Sequence, residues 1–187
     1  MKIAVHQPNL VPWYPFFQKM AAVDVFVVLT RCQFSREHYQ HRFKHKDRWY
    51  TLGVRDIKHP EPINQKVYAN PVEDWAAIKR RLPQHAQWLG QFDGMVQPSL
   101  WRTNFSILLA MRDLLGIKTE VIVDPIPSCT GTDRLVEICL SFKQPQIPVT
   151  YLAGLSGGHY MDLDKFRAAD IAVEFQQVTD TRHVFEL

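Results

Sequence analysis

The run Val23–Leu29, apolar and mostly β-branched or aromatic apart from Asp24, constrains the chain more than any other segment. Such a run suits a strand covered on both faces, which is the habit of parallel sheets flanked by helices. Lys2–His6 has the same character and ends at Pro8 and Pro12. The stretch from Trp13 to Ala22 between the two strands carries apolar residues at helical spacing. The opening therefore predicts a βαβ unit.

The alternation continues along the chain. Trp49–Val54 reads as a third strand, and His59–Pro71, rich in proline, reads as an irregular crossover. Helices are predicted at Val72–Leu82, His85–Phe92 and Leu100–Leu115, the last stopped by Gly116. Thr119–Val123 is a strand, Thr132 caps a helix reaching about Phe142, and Val149–Leu152 is a strand before Gly157-Gly158. Asp162–Ala169 then forms a helix and Ile171–Phe175 a last strand. This order predicts an α/β fold of Rossmann-like type, a mostly parallel sheet with helices on both faces, in a single compact domain over residues 1–187.

Composition removes several classes. Hydrophobic residues at 46% and charged residues at 22% exclude extended disorder. No apolar run approaches the ~18 residues of a membrane span. Met1 leads directly into the first strand, so no signal peptide is expected and the protein is read as cytoplasmic. Cys32, Cys129 and Cys139 make neither an even set nor a CxxC pair, and are read as buried free thiols.

The net charge of +3 matters less than where the charge lies. Between Arg31 and Arg48 stand Arg36, Arg42, Lys44 and Lys46 with His38, His41 and His45, against only Glu37 and Asp47. Phe34, Tyr39, Phe43, Trp49 and Tyr50 are interleaved with or follow them. Cations suit phosphate and aromatic rings suit base stacking, although a charge run taken alone more often marks a solvated basic face. The three histidines would neighbour one another on a helix, but the surrounding cations would repel a divalent metal, so neither a metal nor a cofactor is assigned.

His6 ends the first strand, the side of an open α/β sheet where ligands bind. As a general base it would be accompanied by Gln7 and Asn9, which orient a polar substrate; the alternative is a histidine that only satisfies a loop carbonyl. Gly154–Tyr160 follows a strand, and Gly157 and Gly158 would let backbone approach an anion, although the segment also reads as a plain turn. It has neither Walker nor dinucleotide spacing. Cys32 beside Arg31 is kept as a minor nucleophile candidate.

His6-Gln7-Pro8-Asn9, Pro12-Trp13, Phe16-Phe17, Ala22–Phe26, Gln33-Phe34 and the basic stretch ending near Arg42 together resemble the WbqC-like family. Leu100 with Asn104, Leu115-Gly116-Ile117, and Tyr151-Leu152 to Gly157-Gly158 continue the likeness over nearly the whole chain. The resemblance implies a role beside bacterial surface-polysaccharide genes, in modifying nucleotide-linked sugars, including attachment of small amino-acid groups. Thr30-Arg31 stands where the family pattern has two aspartates, which favours a more anionic substrate. The sequence also ends at Leu187, where family members commonly continue into an aromatic, glutamine-containing tail.

Taken together, these residues point to a transferase that attaches a small amine or amino acid to a phosphate-activated acceptor, a base in double-stranded DNA. His6, Gln7 and Asn9 would be catalytic; Trp13, Arg31, Gln33, Phe34, Arg36, Arg42, Asn104, Gly157 and Gly158 would bind substrate; Lys44, Lys46 and Arg48 would hold nucleic-acid phosphates. The alternatives are transfer to a nucleotide-linked amino sugar and a non-catalytic nucleic-acid-binding module.

Overall fold

The computed structural model describes residues 1–124 and 130–186. Its elements run β1 (Lys2–His6), α1 (Tyr14–Ala21), β2 (Val25–Val28), β3 (Arg42–His45), β4 (Arg48–Thr51), α2 (Pro71–Arg81), α3 (Ala86–Gly90), α4 (Leu100–Leu114), β5 (Glu120–Val123), α5 (Gly131–Ser141), β6 (Val149–Ala153), α6 (Leu163–Ala168) and β7 (Ile171–Phe175). The chain divides into two compact units. One holds Met1–His6, Pro15–Leu29 and Ile117–Thr181; the other holds Gln7–Tyr14, Thr30–Gly116 and Arg182–Leu187.

The first unit is the α/β fold that the apolar runs predict. Its five strands pair in parallel in the order β5-β2-β1-β6-β7. From β1 the chain moves outward to β2 and β5, then returns across to β6 and β7. With right-handed crossovers, that reversal sends α1 to one face and α5 and α6 to the other, a doubly wound, Rossmann-like arrangement. All four β2 residues are buried, as are Ile3, Ala4 and Val5 of β1. Phe16 of α1 packs 5.2 Å from Phe26, and Tyr151 stacks on Phe166 of α6 at 5.2 Å between ring centroids. Each of these buried rings contributes about 1.5–3 kcal/mol through the surface it removes from water.

The second unit is helical apart from one hairpin. On α4, Leu100, Ile107, Leu108 and Met111 are buried at helical spacing, and beyond its end Gly116 takes φ +68°, the left-handed stop that its glycine allows. Trp49–Val54 does not join the parallel sheet. Only Arg48–Thr51 of that region is strand, and it pairs antiparallel with Arg42–His45. The basic segment is thus a β-hairpin, and the helical spacing considered for His38, His41 and His45 does not occur. Phe43 and His45 alternate inward while Lys44 is exposed and Arg42 half-buried. Lys46 and Asp47 make the two-residue turn at φ +44° and +61°, the signs that a tight hairpin of the favoured twist requires.

Smaller differences follow end effects. The helix expected over His85–Phe92 shortens to Ala86–Gly90 behind a 3-10 turn at Pro83–His85. Asp162 is the cap of α6 rather than its first residue, its Oδ1 accepting from the Asp164 amide at 3.1 Å. Cys139 is buried and Cys32 half-buried; Cys129 lies outside the described residues. Among the described residues no helix is long and apolar enough to cross a membrane.

Candidate functional site

In the first unit, the strand order reverses between β1 and β6, and the crevice outside the carboxyl ends of two such strands is the usual ligand site of an open α/β sheet. His6 is the last residue of β1 and Gly154 follows the last residue of β6. The His6 ring is half-buried, tilted against the Phe16 ring with 4.7 Å between centroids, and its carbonyl accepts from the Leu29 amide at 2.8 Å. Packing and backbone together thus set the side chain at the mouth of β1.

Past Gly154, Leu155–His159 forms a 3-10 turn. Gly157 is buried there, and an added Cβ would lie 3.0 Å from the Ala153 Cβ and 3.4 Å from the Met161 sulfur. Its lack of side chain is accounted for by packing. Gly158 is exposed, and a Cβ there would meet only the Phe175 ring, at 3.5 Å. Gly157→Ala is therefore expected to destabilise by about 1–3 kcal/mol through overpacking, and Gly158→Ala by less than half of that. Urea unfolding of the two variants measures the difference; equal stabilities would remove the packing explanation.

Two features of this unit escaped the sequence reasoning. Lys19 of α1 is 4% exposed, and its Nζ donates to the Val5 carbonyl at 3.1 Å, one residue before His6. Burial lowers its pKa to about 8. The sequence signal was a lysine on the same helix face as Phe16 and Met20. Beyond β5, Asp124 and Arg134 of α5 form a buried ion pair. Nothing local to either residue signals the other.

In the second unit, the segment after His6 is held by polar staples. Gln40, fully buried, donates from Nε2 to Gln7 Oε1 at 2.6 Å and accepts at Oε1 from the Ser35 amide at 2.8 Å. Asn104 donates from Nδ2 to the carbonyls of Pro8 and Gln40 at 2.8 and 2.6 Å, and accepts from the Tyr68 hydroxyl at 2.8 Å. Its amide is committed within the fold, so Asn104 shapes the Gln7–Trp13 segment from below.

That segment lines a small cleft, open to solvent, formed by Asn9, Val11, Trp13, Tyr39, Lys44 and His183 among others. Val11 sits at φ +46°, a left-handed conformation that a β-branched residue rarely adopts and that costs about 1–3 kcal/mol. The Leu10 amide bonds the Tyr39 carbonyl at 2.8 Å, and the His183 ring hydrogen-bonds the Val11 backbone. Backbone strain of this kind is retained where surrounding contacts over-determine it, commonly at ligand sites.

The hairpin supplies the rest. Lys44 is paired directly opposite Trp49, and the Arg42 guanidinium lies 4.1 Å over the Trp49 ring while donating to the Glu37 carbonyl at 2.7 Å. Tyr39 packs 5.4 Å from Trp49. Trp13, Tyr39 and Trp49 remain 48%, 47% and 36% exposed. Lys44 pairs with Asp47 at 2.9 Å and Arg36 with Glu37 at 3.0 Å, whereas Arg31, Lys46 and Arg48 are exposed with no ion pair among the described residues. Thr30 is buried and its carbonyl accepts from Asn64.

Some expected binding residues face inward. Phe34 is 5% exposed, between the His41 ring at 5.3 Å and the Lys66 ammonium at 5.5 Å, so it is core. Gln33 is exposed and bridges to Pro62. Lys66, absent from the sequence reading, is buried against Glu61 at 3.0 Å. Among the described residues no group of three or more His, Cys, Asp or Glu side chains is arranged to hold a metal ion.

Comparison with known proteins gives the family. The model of the WbqC-like protein family matches residues 7–184. The chain is 26% identical over 192 aligned positions to the uncharacterized protein Rv1507c of Mycobacterium tuberculosis (strain ATCC 25618 / H37Rv), covering 92% of this chain and 80% of that protein. No solved structure matches.

Proposed function

The chain belongs to the WbqC-like protein family, and we propose that it is a transferase joining a small amine or amino acid to a phosphate-activated acceptor, a base in DNA. The observation that carries the reading is His6, ending β1 where the strand order of a doubly wound sheet reverses. The basic and aromatic outer face of the hairpin supports an acceptor bearing phosphates. In the reaction, the amine nitrogen attacks the acceptor carbon and the C–N bond forms. The carbon–oxygen bond to the phosphoryl group breaks, its electron pair leaving with the phosphate, and the amine proton passes to the His6 imidazole. Gln7 and Asn9 orient the incoming group.

The test uses an oligonucleotide carrying a phosphorylated hydroxymethyl base together with radiolabelled glycine. Incorporation of label into DNA is expected, and His6→Ala should lower it by about 10²–10⁴-fold while leaving oligonucleotide binding in place. Undiminished incorporation by His6→Ala would remove the base assignment. Binding of a nucleotide sugar with no affinity for DNA would return the acceptor to sugar chemistry.

A further inference from the structure

Resting on that reading of the acceptor, we propose that the outer face of the β3–β4 hairpin and the adjoining cleft bind DNA as a single strand, stacking unpaired bases on Trp13, Tyr39 and Trp49. Lys44, Lys46 and Arg48 meet the phosphates. The argument begins with exposure. Three large aromatic side chains left 36–48% exposed in one patch forgo the burial that would stabilise the fold. The patch is continuous: Tyr39 lies against Trp49, and Tyr39, Trp13 and Lys44 line one cleft. Arg42, pinned to the Glu37 carbonyl and lying over Trp49, holds that ring in a fixed plane. Flat rings alternating with cations are what successive bases and phosphates of a single strand need, because every unpaired base offers a π face.

A duplex would meet this surface poorly. Its bases present only their edges in the grooves, and a two-stranded ribbon reads them with arginine or amide side chains. The hairpin offers four residues per strand, and the side chain best suited to guanine, Arg42, is already engaged by Trp49 and Glu37. Lys46 in the turn and Arg48 at the start of β4, opposite His45, sit at the end of the hairpin rather than in a spaced double row. The cleft is small and open to solvent, so the exposed rings that border it, rather than an enclosed pocket, offer the stacking surface.

The experiment titrates labelled oligo-dT and a duplex of equal length with the full chain over a salt series. Trp13→Ala, Tyr39→Ala, Lys46→Ala and Arg48→Ala are measured alongside, and quenching of tryptophan fluorescence by oligo-dT is read on the unaltered protein. Oligo-dT is expected to bind at least about tenfold tighter than duplex and to quench the fluorescence. Each aromatic change should weaken it by about tenfold at every salt concentration. Each charge change should instead reduce the slope of log affinity against log salt by about 0.7. Duplex binding as tight as oligo-dT, sensitive to Lys46 and Arg48 but not to the aromatic residues, would overturn the single-strand proposal while leaving a DNA acceptor standing. Failure of both DNA forms beside measurable nucleotide-sugar binding would overturn both.

Discussion

Lowering the pH from 7.5 to 5 is expected to remove roughly 4 kcal/mol from the stability of the second unit, through His41 and His183 alone. His41 is 3% exposed, and burial, with the nearby Arg42 charge, brings its pKa down to about 4, against a smaller opposing pull from Glu37. His183 is 6% exposed, stacked 3.8 Å from Phe185; burial and the neighbouring His45 and His85 lower it to about 3, against the hydrogen bond to Val11. The Nδ1 atoms of both rings are buried without a hydrogen-bond partner, so a proton placed there would find no acceptor. In the unfolded chain both titrate near 6.5. Above that value neither state binds the extra proton and the full stability is present. Below it the unfolded chain takes up protons that the fold refuses, at about 1.4 kcal/mol per pH unit for each histidine until the folded pKa is reached. His45 and His85 are also lowered, chiefly by burial, and add in the same direction. Urea unfolding at pH 7.5, 6 and 5 measures the loss, and the pair of changes His41→Phe and His183→Phe should flatten it. A profile already flat between 7.5 and 5 in the unaltered protein would sink the account.

Those histidines also mark the limit of what the sequence discloses. The parallel sheet was legible because β1, β2 and β6 are largely apolar runs that the fold buries, and α4 because its buried residues keep helical spacing up to Gly116. β3 was not. Its inward residues are Phe43 and His45 and its outward ones Arg42 and Lys44, so the hydrophobic alternation of a strand is carried half by a histidine. The turn that closes the hairpin uses Lys46 and Asp47 in place of the asparagine and glycine that announce such turns. The same masking acted on the site. The place of His6 at the end of β1 was readable from the apolar run before it, while the exposure of Trp13 was not. Phe34, of the same aromatic type as the exposed rings, is core, and only the hairpin geometry separates it from Tyr39 and Trp49. His183 reaches the Val11 backbone across more than 170 residues of chain, a pairing no local pattern encodes. Lys19 was the exception: a charge on an apolar helix face is visible in sequence and was passed over.

Asn104→Ala is expected to cost about 3–5 kcal/mol, more than its size suggests, because a single buried amide satisfies three groups at once. Truncation leaves the carbonyls of Pro8 and Gln40 without the donor they share and the Tyr68 hydroxyl without its acceptor. Water does not reach them: Asn104, Tyr68 and Gln40 are fully buried. Each stranded group carries a desolvation penalty of about 1–3 kcal/mol. The Tyr68 hydroxyl has a partial refuge in the Gln40 carbonyl at 3.4 Å, which keeps the total below the sum of three. Burial also pushes the Tyr68 phenol upward in pKa, so it stays a donor and cannot adapt by ionising. Tyr68→Phe removes one hydroxyl and strands only Asn104 Oδ1, for about 1–2 kcal/mol. In the double variant the second change should cost much less than it does alone, since the partners it would strand are already gone. Urea unfolding of the two single variants and the double variant measures that coupling. The same variants report on the site, because Asn104 anchors Pro8 at the head of the segment that runs through Asn9 and the strained Val11 to Trp13. If the cleft depends on that anchor, Asn104→Ala weakens oligo-dT binding under conditions where the protein remains folded, and Tyr68→Phe weakens it less. Additive costs, or unchanged oligonucleotide binding by folded Asn104→Ala, would mean that the Gln7–Trp13 segment is held by its other contacts, among them the Leu10–Tyr39 backbone bond and His183.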